Sequence, residues 1–243
     1  MRQAELAERL SAHGLRLRGG WQPEPGERLP ALPSGAPPAV VWMVGQVGSE
    51  VWPHFESSAF ARDGMSDPMD RWAKSVGQPL AAALGGVAVF PSDGPPWWPF
   101  QQWAQRAEPV APSPLMLLIH PQWGLWHAYR FALVLPVLHV QDAAALDAAA
   151  SGAAGTLLDA APASLSDLCR HCDGQPCLQA CPVDAFGPAG FAVDDCAAHL
   201  HGGQGAACMD HGCLARRACP VGAAHGYVPA HAAFHMQAFA QRH

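Results

Sequence analysis

The stretch CRHCDGQPCLQACP, Cys169–Pro182, sets four cysteines within thirteen residues and closes on Cys-Pro, with the spacing C-x2-C-x4-C-x3-C-P. A second group follows at Cys196, Cys208, Cys213 and Cys219, spaced C-x11-C-x4-C-x5-C-P. Both groups end in Cys-Pro-Val, the one hint of an internal repeat. All eight cysteines lie between Cys169 and Cys219, and the 168 residues before them contain none. This asymmetry sets the organisation: an α/β domain over residues 1–145, a linker over 146–165, a cysteine-bearing domain over 166–228 and a last helix over 229–243.

Crowding decides what the cysteines can hold. A structural zinc draws four ligands to one point at about 2.3 Å and usually takes two separated Cys-x-x-Cys pairs. Three cysteines within nine residues, with a fourth four positions later, do not suit that habit. A cubane iron–sulfur cluster offers its irons at different places, so neighbouring thiolates on one loop can each reach a different iron. In the bacterial run C-x2-C-x2-C-x3-C-P the fourth cysteine serves the other cluster of a pair. Here the middle spacing is two residues longer, with DGQP forming a turn. The expectation is two [4Fe–4S] clusters with crossed ligation: Cys169, Cys172, Cys177 and Cys219 for the first, and Cys181, Cys196, Cys208 and Cys213 for the second. A single cluster with a degraded second group, a zinc site, and disulfides or free thiols are the alternatives.

Composition narrows the class. Half of the 243 residues are hydrophobic and only 14% are charged, against ~25% charged in ordinary domains. The 24 prolines are about twice the usual share of ~5%, which favours loops over long helices. The net charge of -6 and the absence of a Lys/Arg run argue against generic nucleic-acid binding, which needs clustered positive charge. The N-terminal MRQAELAERLSAHGL has charges throughout, unlike a secretory leader. No stretch approaches the ~18 uninterrupted apolar residues of a membrane span. The expectation is a cytoplasmic protein without a membrane segment, and in a reducing compartment cysteines point to metal.

Residues 3–13 pattern as a helix with Leu6 and Leu10 on one face, ended by Gly14. LRLRGGW (15–21) alternates like a strand, and AVVWMVG (39–45) is a short apolar run of buried-strand type. In SDPMDRWAKSVGQPLAAALGG (66–86), Asp67 stands at an N-cap position with Pro68 at the first helical residue, and Pro79 is placed to kink or split the helix. VAVF (87–90) reads as a strand and FQQWAQRA (100–107) as a short helix. PLMLLIHPQWGLWHAYRFALVLP (114–136) reads as a hairpin: LMLLIH out, PQWG as the turn, LWHAYRFALVL back. Residues 141–165 have helical tendency, and the tail reads as a helix from about Pro229.

The C-x2-C…C-x3-C-P run, the lone cysteine after FAVDD and the closing Cys-Pro group resemble epoxyqueuosine reductases and the iron–sulfur modules of reductive dehalogenases. FAVDDC is similar to the LDARRC of that family. LLIHPQWGLWHAYRFALVLP is similar to its strand–Gly-x-Trp–strand passage, with Gly124 and Trp126 in those places. The resemblance covers about residues 65–220. It implies an α+β protein, with a nitroreductase-like sheet-and-helix N-terminal domain followed by a di-cluster ferredoxin-like domain. It also implies a cobalamin (corrinoid) site in the first domain, which no individual residue here supports. The family's proton-donating aspartate aligns with Ser92, with Asp93 one residue later, so Asp93 is the candidate catalytic residue. The family's Gly-Lys-Asn passage and its long region after the clusters have no counterpart.

Three functions follow: an iron–sulfur electron-transfer protein working with a redox donor or acceptor protein; a reductase with its own pocket, holding a corrinoid; or a zinc-bound interaction protein. Other residues admit two readings each. His120 and His127 could face a pocket beside Trp123 and Trp126, or be hydrogen-bonded strand histidines. His171 and His211 could tune a cluster through hydrogen bonds or do nothing. His231 and His235 are spaced i,i+4 without the glutamate of a metalloprotease helix. Trp97, Trp98, Phe100 and Trp103 could wall a planar ligand or pack a loop onto the core. Arg130 could meet an anionic cofactor group or a buried partner.

Overall fold

The computed structural model describes residues 2–139, 142, 143, 146 and 167–243. The expected linker and its helical tendency lie almost wholly outside the described residues. The chain is mixed α and β. It forms two compact units, one of residues 1–108 and 128–158, the other of 109–127 and 159–243.

The first unit runs α1 (Gln3–Ser11), β1 (Arg16–Trp21), β2 (Val40–Val47), α2 (Trp52–Glu56), α3 (Pro68–Ala83), β3 (Val87–Val89) and α4 (Phe100–Ala107). After the segment that carries β4 (Ala111–Pro112) and β5 (Leu118–Ile119), the chain returns as β6 (His127–Leu135). The sheet order is β1-β2-β6-β3. β1 pairs antiparallel with β2, Leu17 facing Val44 and Trp21 facing Val41, with a bulge between Leu17 and Gly20. β3 pairs antiparallel with β6, Ala88 facing Leu133.

Every residue of β2 is buried, as expected of a strand flanked on both sides. α1 lays Leu6 and Leu10 into the core. α3 runs through Pro79 without ending. Its Gly77 lets Phe90 and Phe131 come close: a Cβ there would stand 3.0 Å from Phe90 and 3.2 Å from Phe131. Asp67 does stand at the N-cap, but with φ of 51° and no side-chain capping bond.

The aromatic loop before α4 packs inward: Trp98 stacks on Trp103 at 5.7 Å, Trp21 meets the same ring at 5.7 Å, and Trp103 is buried. Trp97 stays 72% exposed. Beneath the loop, fully buried Arg18 grips Glu108 through Nε at 3.1 Å and Nη2 at 2.5 Å. Tyr129 also donates to Glu108. Burial lifts the Glu108 carboxyl above its ordinary value against the pull of Arg18. Arg130 donates to Gln46 Oε1 at 2.7 Å, which is the buried-partner reading of that residue.

The second unit contains β4, β5, α5 (Asp167–Arg170), α6 (Pro176–Gln179), β7 (Phe186–Gly187), β8 (Gly190–Phe191), α7 (Val193–His201), α8 (Ala206–His211), α9 (Leu214–Arg217) and α10 (Pro229–Arg242). The expected hairpin is corrected here. Its outgoing strand shrinks to β5 and pairs with β4, Ala111 facing Ile119. A tight turn does close between His120 and Gly124, each N–H reaching the other's carbonyl at 2.9 and 2.8 Å. The strand that follows, β6, pairs with β2 and β3 instead of β5. Alternation marks a strand but does not name its partner. Among the described residues, no helix is long and apolar enough to cross a membrane.

Candidate metal centre

All eight cysteines are free thiols, six of them half-buried and Cys208 and Cys219 buried. Short elements carry them. Cys169 lies in α5, and Gln175 donates its Nε2 to the Cys169 carbonyl at 3.1 Å, tying that turn to the start of α6. Pro176 opens α6, where its missing N–H costs nothing, and Cys177 follows in its first turn. Cys196 lies in α7 and Cys208 in α8, while Cys213 stands at the N-cap of α9.

α6 and α9 pack against each other. α6 has Cys177 at its start and Cys181 just past its end. α9 has Cys213 at its start and Cys219 just past its end. The electrostatic neighbours of the thiols cross between these helices. Burial raises the Cys169 thiol, and Cys219, Cys177 and Cys172 add to the effect. Cys219 is raised by burial with Cys177 and Cys172. Burial pushes Cys196 up to about 11, with Cys213, Cys181 and Cys208 contributing. Cys213 is raised by burial with Cys208 and Cys181. The eight thiols thus fall into two sets: Cys169, Cys172, Cys177, Cys219; and Cys181, Cys196, Cys208, Cys213.

The surroundings differ between the sets. Leu115, Ile119, Leu125, Ala215 and Cys219 form one apolar cluster, with Cys169 and Cys177 packed on it along with Cys181 and Cys213. A narrow cleft of about 20 Å3 is lined by all four thiols of the first set together with Ile119, Leu168 and Val221. Leu200, Cys208 and Ala240 form a second cluster, packed by Cys196, Met209, Met236 and Phe239.

Peptide N–H groups reach the sulfurs. Ala185 donates to Cys181 Sγ at 3.3 Å. Leu178 donates to Cys177, Arg216 and Ala215 to Cys213, and Val221 to Cys219, each drawing the thiol pKa back down. These bonds favour thiolate, the form that binds metal.

Soft thiols, an apolar shell and N–H···S bonds suit an iron–sulfur cluster. Among the described residues, no three or more His, Cys, Asp or Glu side chains are gathered as the ligands of one metal ion. A cubane takes one thiolate at each of four separated irons, so its sulfurs need not meet at a point.

The other candidates have structural partners. Asp93 closes a turn: the Phe90 N–H donates to its Oδ2 at 2.9 Å, and Lys74 pairs with it at 2.8 Å. His120 stacks on Trp123 at 3.8 Å, and its Nδ1 accepts from the Gln122 and Trp123 N–H groups at 3.1 and 3.3 Å. The Nε2 of His127 meets the Leu118 carbonyl at 3.0 Å. His171 Nδ1 meets the Asp167 carbonyl at 3.2 Å. His231 and His235 bring their Nε2 atoms within 3.1 Å of each other.

Sequence reasoning missed that the segment 111–125 walls the first thiol set. Its apolar residues Leu115, Ile119 and Leu125 have no spacing that distinguishes such a wall from a strand. No protein-family model matches the chain, and no curated protein matches its sequence.

Proposed function

We propose that this chain is an iron–sulfur electron-transfer protein binding two [4Fe–4S] clusters. The first is held by Cys169, Cys172, Cys177 and Cys219, the second by Cys181, Cys196, Cys208 and Cys213. The observation that carries this reading is the division of eight free thiols into two sets of four that cross between the paired helices α6 and α9, Cys177 keeping company with Cys219 and Cys181 with Cys213. On the same ground and on the resemblance of its motifs, the second unit is read as ferredoxin-like and the first as nitroreductase-like.

When bound, each cluster supplies a site that takes up and gives back one electron at a time. The chain's residues do the rest. Leu115, Ile119, Leu125 and Ala215 keep water from the first set, and Leu200 and Ala240 from the second. N–H groups from Leu178, Ala185, Ala215, Arg216 and Val221 stabilise negative charge on sulfur, which raises a reduction potential. The partner is a redox donor or acceptor protein in the reducing cytoplasm.

Anaerobic purification tests the reading by iron and acid-labile sulfide quantitation, with EPR of the reduced protein. The expected protein is brown, with iron and sulfide in equal amounts, about eight of each per chain for two four-iron clusters. A colourless protein containing zinc and no sulfide would overturn the proposal.

A further inference from the structure

In the second unit, the i,i+4 pair His231 and His235 of α10 brings two imidazole nitrogens together, Nε2 to Nε2, at 3.1 Å. His231 is fully buried and His235 half-buried. A neutral imidazole has one N–H and one bare nitrogen, so at this distance one ring donates and the other accepts. The contact holds while a single proton lies between the two nitrogens. With both rings protonated, two N–H donors and two positive charges would meet head to head.

Neighbouring rings fix the pair. Tyr227 stacks on His231 at 4.1 Å, and the Arg216 guanidinium of α9 lies 4.4 Å over the same tyrosine ring. Arg216 is itself anchored, 4.8 Å over Trp126 and bonded to the Leu125 carbonyl. Phe234 meets His235 edge-on at 5.4 Å. An imidazole that swings away from its partner therefore disturbs the stack that ties the start of α10 to α9.

The surrounding charges oppose a second proton. Helices α7 and α8 pack against α10. Their carboxylates, Asp194, Asp195 and Asp210, are exposed, as are His201 and His211, and exposed charges act weakly through water. His199 of α7 and His225, ahead of Tyr227, are half-buried. On α10 itself, Arg242 stands seven residues beyond His235, about 10 Å along the axis. The charge built into the stack is the Arg216 cation, one ring away from His231 across Tyr227.

We propose that the His231–His235 pair is a pH-operated latch on α10. Met236, Phe239 and Ala240 of α10 share an apolar cluster with Cys196 and Cys208, so the helix covers one side of the second thiol set and opening the latch uncovers it. In the open state each imidazole titrates near its ordinary value of about 6.5 and takes up a proton that the closed pair refuses. Opening is therefore favoured as pH falls through that value, and closure above it. The inference does not depend on what the cysteines hold.

Hydrogen–deuterium exchange of the full chain, purified anaerobically, tests the latch. Peptides of α10 are followed by mass spectrometry from about pH 7.5 to about pH 5.5, corrected for intrinsic exchange rates, with α3, which contains no histidine, as the reference. Over this window each refused proton raises the open fraction about tenfold. Exchange in the first turns of α10 should therefore rise at least about tenfold relative to α3. His235→Gln removes one titrating ring and keeps a side chain able to hydrogen-bond to His231, so its rise should be about tenfold smaller. Any loss of iron at low pH is shared by both proteins, and the comparison isolates the pair. A wild-type rise below about threefold would overturn the proposal whatever the variant shows, and so would an equal rise in His235→Gln.

Discussion

Cys181 lies two residues beyond α6, whose own cysteine, Cys177, belongs to the other thiol set. Its neighbours are instead Cys196 and Cys213, and the Ala185 N–H points at its sulfur. Replacing Cys181 by Ala should remove the second cluster and leave the first. Iron should fall to about half of the wild-type content, and the reduced protein should give the EPR signal of an isolated cluster, without features of magnetic coupling between two. Loss of the first cluster alone would sink the crossed assignment. At this scale the sequence offers the spacings alone, and what the fold adds is that Cys219 has Cys177 and Cys172 as its electrostatic neighbours. Asp93 was not legible in the same way. A motif places an aspartate near a position, but only the fold reveals that its carboxylate already serves the Phe90 N–H and Lys74.

The turn at 120–124 meets the loop after α9 backbone to backbone. Gly124 has φ of 57°, and a Cβ on it would stand 1.8 Å from the Val221 carbonyl oxygen. Gly222, with φ of 68°, faces the Trp123 carbonyl carbon at 2.2 Å in the same sense. Nearby, Arg216 donates from Nε to the Leu125 carbonyl at 3.1 Å and from Nη2 at 2.5 Å. The turn and α9 are thus clamped together directly beside Cys219. Gly124→Ala should cost at least about 1–3 kcal/mol from the left-handed conformation alone, and the carbonyl contact adds to that. The measurement is the thermal midpoint of the full chain together with its iron content; an unchanged midpoint and full iron would refute the clamp. Sequence patterning caught the turn. It misassigned the strands around it because the period-2 pattern of LWHAYRFALVL is satisfied equally by β5 or by β2 and β3 as partners. What separates these is the long-range packing of Phe131 and Leu133, which no local window contains.

The two units differ in what sustains their cores. The first buries a strand of eight residues, with Phe55, Trp72, Phe90 and Phe131 around it. The second spends much of its interior on sulfur: Cys208 and Cys219 are core residues, Cys169, Cys177, Cys181, Cys196 and Cys213 pack on their clusters, and Cys172 is half-buried. Burial, with neighbouring thiols adding to it, raises the pKa values of Cys169, Cys177, Cys196, Cys213 and Cys219, so several thiolates side by side without metal would repel. If the proposed clusters are bound, a unit built this way draws folding free energy from them, since the ligands must lose protons and gather for binding. Removing iron with a chelator under mild oxidation should therefore loosen the second unit and spare the first. Limited trypsin digestion separates the two. Arg216 is half-buried and bonded to the Leu125 carbonyl, so cleavage after it should be slow in the holoprotein and rise at least severalfold after chelation. Arg18 is fully buried and paired with Glu108, so cleavage after it should stay slow in both states. Equal rates after Arg216 with and without iron would mean that the apolar clusters alone hold the second unit together, and that the cysteines contribute ligands without contributing stability.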